Sequence, residues 1–296
     1  AQLRWYLDYC CRDDYGAGAD QVSAWAGLHY FASRTGEADN AAAHEVLTWP
    51  EGNGWIVRRM SAPFAHRIQT SCAVWNIEPR ADGVMVDAFE PATQRQRRFH
   101  ARAVVVASPR FVARKILQPW REQPPALPGL TYSPWLVANL TLDRLPDAPD
   151  QPPAWDNVIC GSPSLGYVNA THQHLHPVPR ATVLTYYRTL HRRPPREARA
   201  LSLTASHADW CRQIVTDLQT AHPHIARHIR RLDLWFWGHA MVRPVPGYLW
   251  GHTRRRLQEP LNRIAFAHSD MSGIAIFEEA YYRGLRAADT ILDSFL

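Results

Sequence analysis

Ile264-Ala-Phe-Ala-His-Ser-Asp-Met-Ser-Gly273, continued by Ile274-Ala-Ile-Phe-Glu-Glu-Ala-Tyr-Tyr-Arg-Gly-Leu-Arg-Ala-Ala288, is the stretch whose reading decides the fold. Ile264 to Ala267 is an apolar run too short for a helix and suited to a buried strand. His268 to Gly273 is polar and closes on Ser-Gly, a turn signal. From Phe277 the pattern is helical, with Ala280, Gly284 and Ala288 recurring every four residues as a small-residue face able to lie close to a sheet. Glu278 and Glu279 fall in the first turn, where carboxylates suit the positive end of the helix dipole. Strand, polar turn and helix form one unit of an α/β sheet, and such sheets bind ligands beyond the carboxyl ends of their strands. Asp270 is expected at that end.

A second run of the same kind is Ala103-Val-Val-Val-Ala107. It reads as a strand buried on both faces, ending in Ser108-Pro109 and followed by a short helix from Phe111 to Leu117. Ile68 to Ile77 reads as a strand, and Val84 to Phe89 alternates as part of a hairpin-like excursion. Between about 131 and 240 the strands change character. Trp135 to Leu142, Val158-Ile159, Gly166 to Asn169, Ala181 to Tyr187 and Leu232 to His239 alternate and lack crossover helices. Ala205 to His222 and Pro223 to Arg231 read as helices, as do Gln2 to Arg12, Ser23 to Arg34 and a segment opening at Ile56. The pattern is α/β (α+β): a parallel region interleaved with a mixed, mostly antiparallel one.

The chain has 296 residues, 46% of them hydrophobic, enough for one large domain or two. It contains no apolar run long enough to span a membrane. The net charge of +6 comes almost wholly from arginine, since Lys115 is the one lysine. The Arg clusters are short and scattered, which disfavours nucleic acid as a partner. Five cysteines with no paired spacing disfavour a disulfide framework. The chain opens on Ala1 and directly in helical pattern, so an upstream segment is expected to be missing, and the sequence assigns no compartment.

Four constellations bear on chemistry. Gly16-Ala-Gly18 and Gly52-Asn-Gly54 are GxG pairs without a third glycine or a preceding apolar strand, so neither is a dinucleotide phosphate loop. His172, His174 and His176 would share one face of a strand and could hold a metal, but no carboxylate or cysteine lies near them. Ser162, Ser164 and Ser272 are candidate nucleophiles without a GxSxG elbow. The aromatic cluster Trp235, Trp237, Tyr248 and Trp250 could wall a pocket.

Three segments together resemble the flavin-containing amine oxidases, the broad family of monoamine and polyamine oxidases. They are Gly52-x-Gly54 with Val74-x-x-Ile77, Ala101 to Pro109 through Lys115-Ile-Leu-Gln-Pro119, and Glu278-x-Ala280 with Gly284-x-x-Ala287-Ala288. The resemblance implies FAD as cofactor and an FAD/NAD(P)-binding Rossmann-like region, present in part. It implies hydride removal from a carbon beside an amine nitrogen to flavin N5. The backbone at Val74 would meet the adenine, Asp270 the ribityl and phosphate region, and Phe277 the flavin ring. Ala107, Ser108, Pro109, Gly273, Ile276 and Glu278 would complete the cofactor contacts. Trp237, His239, Tyr248 and Trp250 would contact a small, amine-like substrate.

The implied organisation is residues 1–50 as a helical part of the substrate region, 51–118 and 251–296 as cofactor-binding segments, and 119–250 as the substrate region. The family's opening strand-GxGxxG-helix is absent from this sequence, so weak or no flavin binding by this chain alone is expected, and a fragment inactive by itself. No residue matches the family's lysine near N5, and Ile276 stands at its aromatic-cage position, so the catalytic residues stay unknown. The alternatives are a dehydrogenase or desaturase of the same fold, a binding module that has lost the cofactor, and a metal-dependent hydrolase using the three histidines.

Overall fold

The computed structural model describes residues 2–36, 39–40, 47–144, 154–172 and 181–295. The chain divides into two units, Ala1–Met60 with Thr131–Arg243, and Ser61–Leu130 with Pro244–Leu296.

Unit 1 opens with helices α1 (Gln2–Tyr15), α2 (Ala24–Ala32) and α3 (Gly54–Ser61). The helix α1 runs past its expected end at Arg12, through Asp13-Asp14, and stops at Gly16, whose φ of +65° continues no helix. Its buried residues are Tyr9, Cys10, Cys11, Arg12 and Tyr15, while the apolar Leu3 is 70% exposed. The helix α2 likewise buries Ala26 and Tyr30 and leaves Leu28 outside.

Unit 2 supplies β1 (Ala73–Pro79), β2 (Val84–Glu90) and β3 (Arg95–Ala101) as an antiparallel meander. The strand expected from Ile68 begins only at Ala73, because a 3-10 turn over Ala62–Arg67 precedes it. Next come β4 (Val104–Val106), α4 (Arg110–Ile116) and α5 (Gln118–Glu122).

The chain then returns to unit 1 for β5 (Tyr132–Leu142), β6 (Asp156–Asn157), β7 (Tyr167–Asn169), β8 (Thr182–Thr189), α6 (Pro195–Thr204), α7 (His207–Gln219) and β9 (Ile229–Val242). These strands form a sheet ordered β6-β7-β8-β5-β9, antiparallel throughout. One face carries Leu136, Leu140, Leu184 and Tyr186 into a core closed by Ala198 of α6 and Trp210, Ile214 and Leu218 of α7. The two helices are separate because Ser206 and Asp209 cap each other at the start of α7. The helix α6, absent from the expected elements, starts at Pro194-Pro195, a pair suited to a helix start. The helix expected over 223–231 is a single 3-10 turn followed directly by β9, and Val158-Ile159 is not a strand.

Unit 2 closes with α8 (His252–Arg256), β10 (Ile264–Phe266) and α9 (Phe277–Phe295). The strands β10 and β4 pair in parallel, Ala265 beside Val105. The β4 run is not buried on both faces, because Val105 is 42% exposed on a two-stranded sheet. The helix α9 turns Ala280 and Ala288 outward and packs Ala287 and Ile291 against Ala265 and Ala267. No helix among the described residues is long and apolar enough to cross a membrane.

Candidate functional site

The parallel pair β4–β10 sends both of its chain exits to one end. Ala107-Ser108-Pro109 leaves β4 and turns into α4, while Ala267 donates its N–H to Val106 O at 3.1 Å and leads into the 268–273 turn. Asp270 joins the two exits: its carboxylate accepts the Arg110 backbone N–H at 2.8 Å and lies 3.1 Å from His268 Nδ1. Tyr248 donates its hydroxyl to Asp270 O at 2.6 Å. Beneath, the Arg110 guanidinium sits 3.7 Å from the Phe266 ring centre and donates to Leu257 O, and Trp120 stacks on Phe266. Ser108 Oγ is buried and has no hydrogen-bond partner among the described residues. A hydroxyl so placed at the carboxyl end of a parallel strand suits a polar ligand group.

Several expected site residues also make contacts within unit 2. Asp270 is 1% exposed and engages unit 2's own backbone, so it positions the β4–α4 turn. Tyr248, expected to contact substrate, is 2% exposed, with its hydroxyl used internally and its ionisation pushed up by burial. At Gly273 (φ +79°) a Cβ would stand 2.8 Å from Leu249 Cδ2, so the glycine serves the packing of Leu249 and Tyr248. Ile276, Phe277 and Glu278 lie where α9 starts, with Phe277 stacked on Tyr281. Trp250 is exposed.

Val74 sits on β1, opposite Ala88, just before a bulge at Trp75. The strand is at the edge of its meander, so backbone groups on its outer side are not taken by β2. Beside it Asn76 donates to Asp87 at 2.9 Å, Arg98 donates to Asp87 at 2.6 Å, and Arg121 donates to Asn76 at 2.7 Å. The Arg98 and Asn76 hydrogen bonds hold the Asp87 carboxyl below its usual range. This network was not read from the sequence, because its four members come from four separate elements.

In unit 1, sheet alternation places Trp235, Trp237 and His239 of β9 on the face opposite the helix-covered core. Trp237 pairs with Trp135, which stacks on Tyr187, and His239 meets Tyr132 edge-on. Trp235 and Trp237 are 43% and 57% exposed. Tyr187 donates to Asp156 at 2.6 Å. Burial, with help from Asp14 and Asp156, raises the Asp13 carboxyl to about 6. Aromatic rings beside carboxylates suit a cationic group.

The other chemistries find no support in the described contacts. Ser162 and Ser164 bond to each other, and Ser162 with Tyr186 donates to Asp217, a buried set that includes no histidine. Ser272 accepts from Arg283. His174 and His176 lie outside the described residues, and no group of three metal-ligating side chains occurs among those described.

With this geometry in place, comparison with known proteins is specific. The family model described as flavin containing amine oxidoreductase matches residues 19–292. A cyclohexylamine oxidase from Brevibacterium oxydans IH-35A superposes with a TM-score of 0.63 at 17% identity, covering 98% of this chain and 64% of that one. A double mutant of a putrescine oxidase redesigned in cofactor binding gives a TM-score of 0.69 at 14% identity, with coverages of 99% and 65%. Wild-type putrescine oxidase bound to putrescine gives 0.61 at 15% identity, with coverages of 82% and 53%. The chain therefore spans 53% to 65% of the length of these structures. No curated protein sequence matches it significantly.

Proposed function

The chain belongs to the flavin containing amine oxidoreductase family, and from that premise we propose that it forms the β4–β10 cofactor segments and the substrate-contacting sheet of an FAD-dependent oxidoreductase acting on a small amine. The observation that carries this reading is the parallel pair β4–β10, whose two exits are tied together by Asp270 and leave Ser108 Oγ buried without a partner. FAD, when bound, supplies at N5 an acceptor for a hydride from the carbon beside the amine nitrogen.

The chain's own residues do the rest. Ser108 offers a hydroxyl to the bound group. The first turn of α9, from Phe277 to Glu279, brings backbone N–H groups that an α-helix leaves unsatisfied. The outer edge of β1 at Val74 offers backbone donors and acceptors to a flat polar ring. Asp270, Tyr248 and Gly273 hold these turns in shape from within. On β9 the exposed rings of Trp235 and Trp237 offer an apolar surface to an amine.

Flavin titration tests the proposal. The sequence has no GxGxxG phosphate loop, so purified chain is expected to bind FAD saturably but weakly, and Ser108→Val to weaken it further. Complete indifference of the flavin fluorescence to the protein would contradict the reading.

A further inference from the structure

We propose that unit 1 carries a second small-molecule site, for a short-chain monocarboxylate with a compact apolar body. The site lies on the opposite side of the sheet from Trp235 and Trp237. It is a pocket of about 100 Å³ between the end of β8, α6 and the start of α7.

Its two halves differ in chemistry. The floor is apolar: Leu190, Ala198 and the Trp210 indole line it, with Leu201 at its edge. Leu190, Ala198 and Trp210 are all less than one-tenth exposed and belong to the main core of the unit. The Trp210 indole N–H is buried and finds no acceptor among the described residues. The rim is cationic: Arg188, Arg192 and Arg193 border the pocket, and no carboxylate lines it.

The register explains why these groups meet. Arg188 pairs with Leu136, and Leu136 with Phe236, so Arg188 projects on the core face of the sheet. The chain then turns at His191, whose Nδ1 lies 2.8 Å from Thr189 Oγ1, and Arg192 and Arg193 follow before α6 begins. Burial and then Arg12 lower His191 to about 4, and Arg192 pushes the same way. His191 is therefore neutral at pH 7, and the guanidiniums are the charges that a ligand meets.

Charge and size together choose the occupant. Clustered guanidiniums without a carboxylate favour an anion, and a planar carboxylate matches their fork geometry. A phosphate would meet the same rim but would gain nothing from the apolar floor. A cavity of about 150 Å³ accepts benzene, so a pocket of roughly 100 Å³ suits a body smaller than a ring, such as a branched chain of a few carbons. Leu201, 38% exposed at the edge, would be covered by such a body.

The test uses the full 296-residue chain and ligand-observed NMR with isovalerate. Saturable isovalerate binding is expected, with the isosteric isovaleramide and the bodiless acetate each at least about tenfold weaker. The double variant Arg192→Ala/Arg193→Ala should weaken isovalerate by about tenfold or more. Leu201→Trp, which fills the pocket from its rim, should abolish binding while leaving the melting temperature near wild type. Equal binding of isovaleramide, or unchanged isovalerate binding in both variants, would overturn the proposal. So would no isovalerate binding at all to the folded wild-type chain. Flavin binding enters none of these measurements, so their outcome is separate from that of the oxidoreductase reading.

Discussion

Replacing Asp270 by alanine should destabilise the protein before it affects any ligand. The carboxylate is 1% exposed, accepts the Arg110 N–H at 2.8 Å and faces His268 Nδ1 at 3.1 Å. Losing a hydrogen bond to a charged group costs about 1.5–3 kcal/mol, and a buried N–H left without acceptor about 1–3 kcal/mol. The two contributions overlap, so about 3 kcal/mol is expected in all. At roughly 2–4 °C per kcal/mol for a large domain, the melting temperature should fall by about 6–12 °C. Asp270→Asn keeps an acceptor for Arg110 and should lose less than half as much. Thermal unfolding of the ligand-free chain, followed by circular dichroism, measures both variants. A shift within about 2 °C for Asp270→Ala would refute the reasoning, because a carboxylate serving only an external ligand costs nothing when removed from the free protein.

Three further outcomes follow from single residues. Gly166 has a φ of +95°, and a Cβ there would lie 1.9 Å from Asn157 O, so Gly166→Ala should cost about 3 kcal/mol or more in urea unfolding. His191 is held at about 4 by burial and Arg12, against about 6.5 in an unfolded chain. Between those values the unfolded chain binds a proton that the folded chain does not. Its contribution is therefore complete above pH ~6.5 and disappears as pH falls towards ~4, with a slope approaching ~1.4 kcal/mol per pH unit that His191→Asn should remove. Trp237→Ala should weaken binding of an apolar amine by about tenfold, measured by competition in the flavin-loaded protein, with little change in stability because the ring is 57% exposed.

How much of this was legible in the sequence depends on the range of the interactions. Local pattern placed β4, β10 and α9, since apolar runs and turn residues act over a few positions. The antiparallel character of the 131–240 region was legible from alternation, as β5, β8 and β9 show. Which face a helix buries was not. In α9 the small residues Ala280 and Ala288 suggested the inner face, yet Ala287 and Ile291 take it, one residue round the helix. In α1, Leu3 and Tyr6 are the apolar choice by pattern, yet a buried Arg12 and Tyr15 take the core. Asp270 was legible as a residue just past a strand end, but its partner Arg110 lies 160 residues away. Only the fold reveals that the carboxylate faces inward. The unpartnered Ser108 hydroxyl and the Asn76–Asp87–Arg98–Arg121 network are invisible for the same reason.

Photolabelling with azido-FAD, mapped by mass spectrometry, addresses the cofactor assignment directly and works even at weak affinity. An azide on the adenine should label β1 around Val74, and an azide on the flavin ring should label the peptide holding Ile276 and Phe277. Labels scattered over both units, or concentrated on peptides far from β1, the β4 exit and the start of α9, would contradict the account.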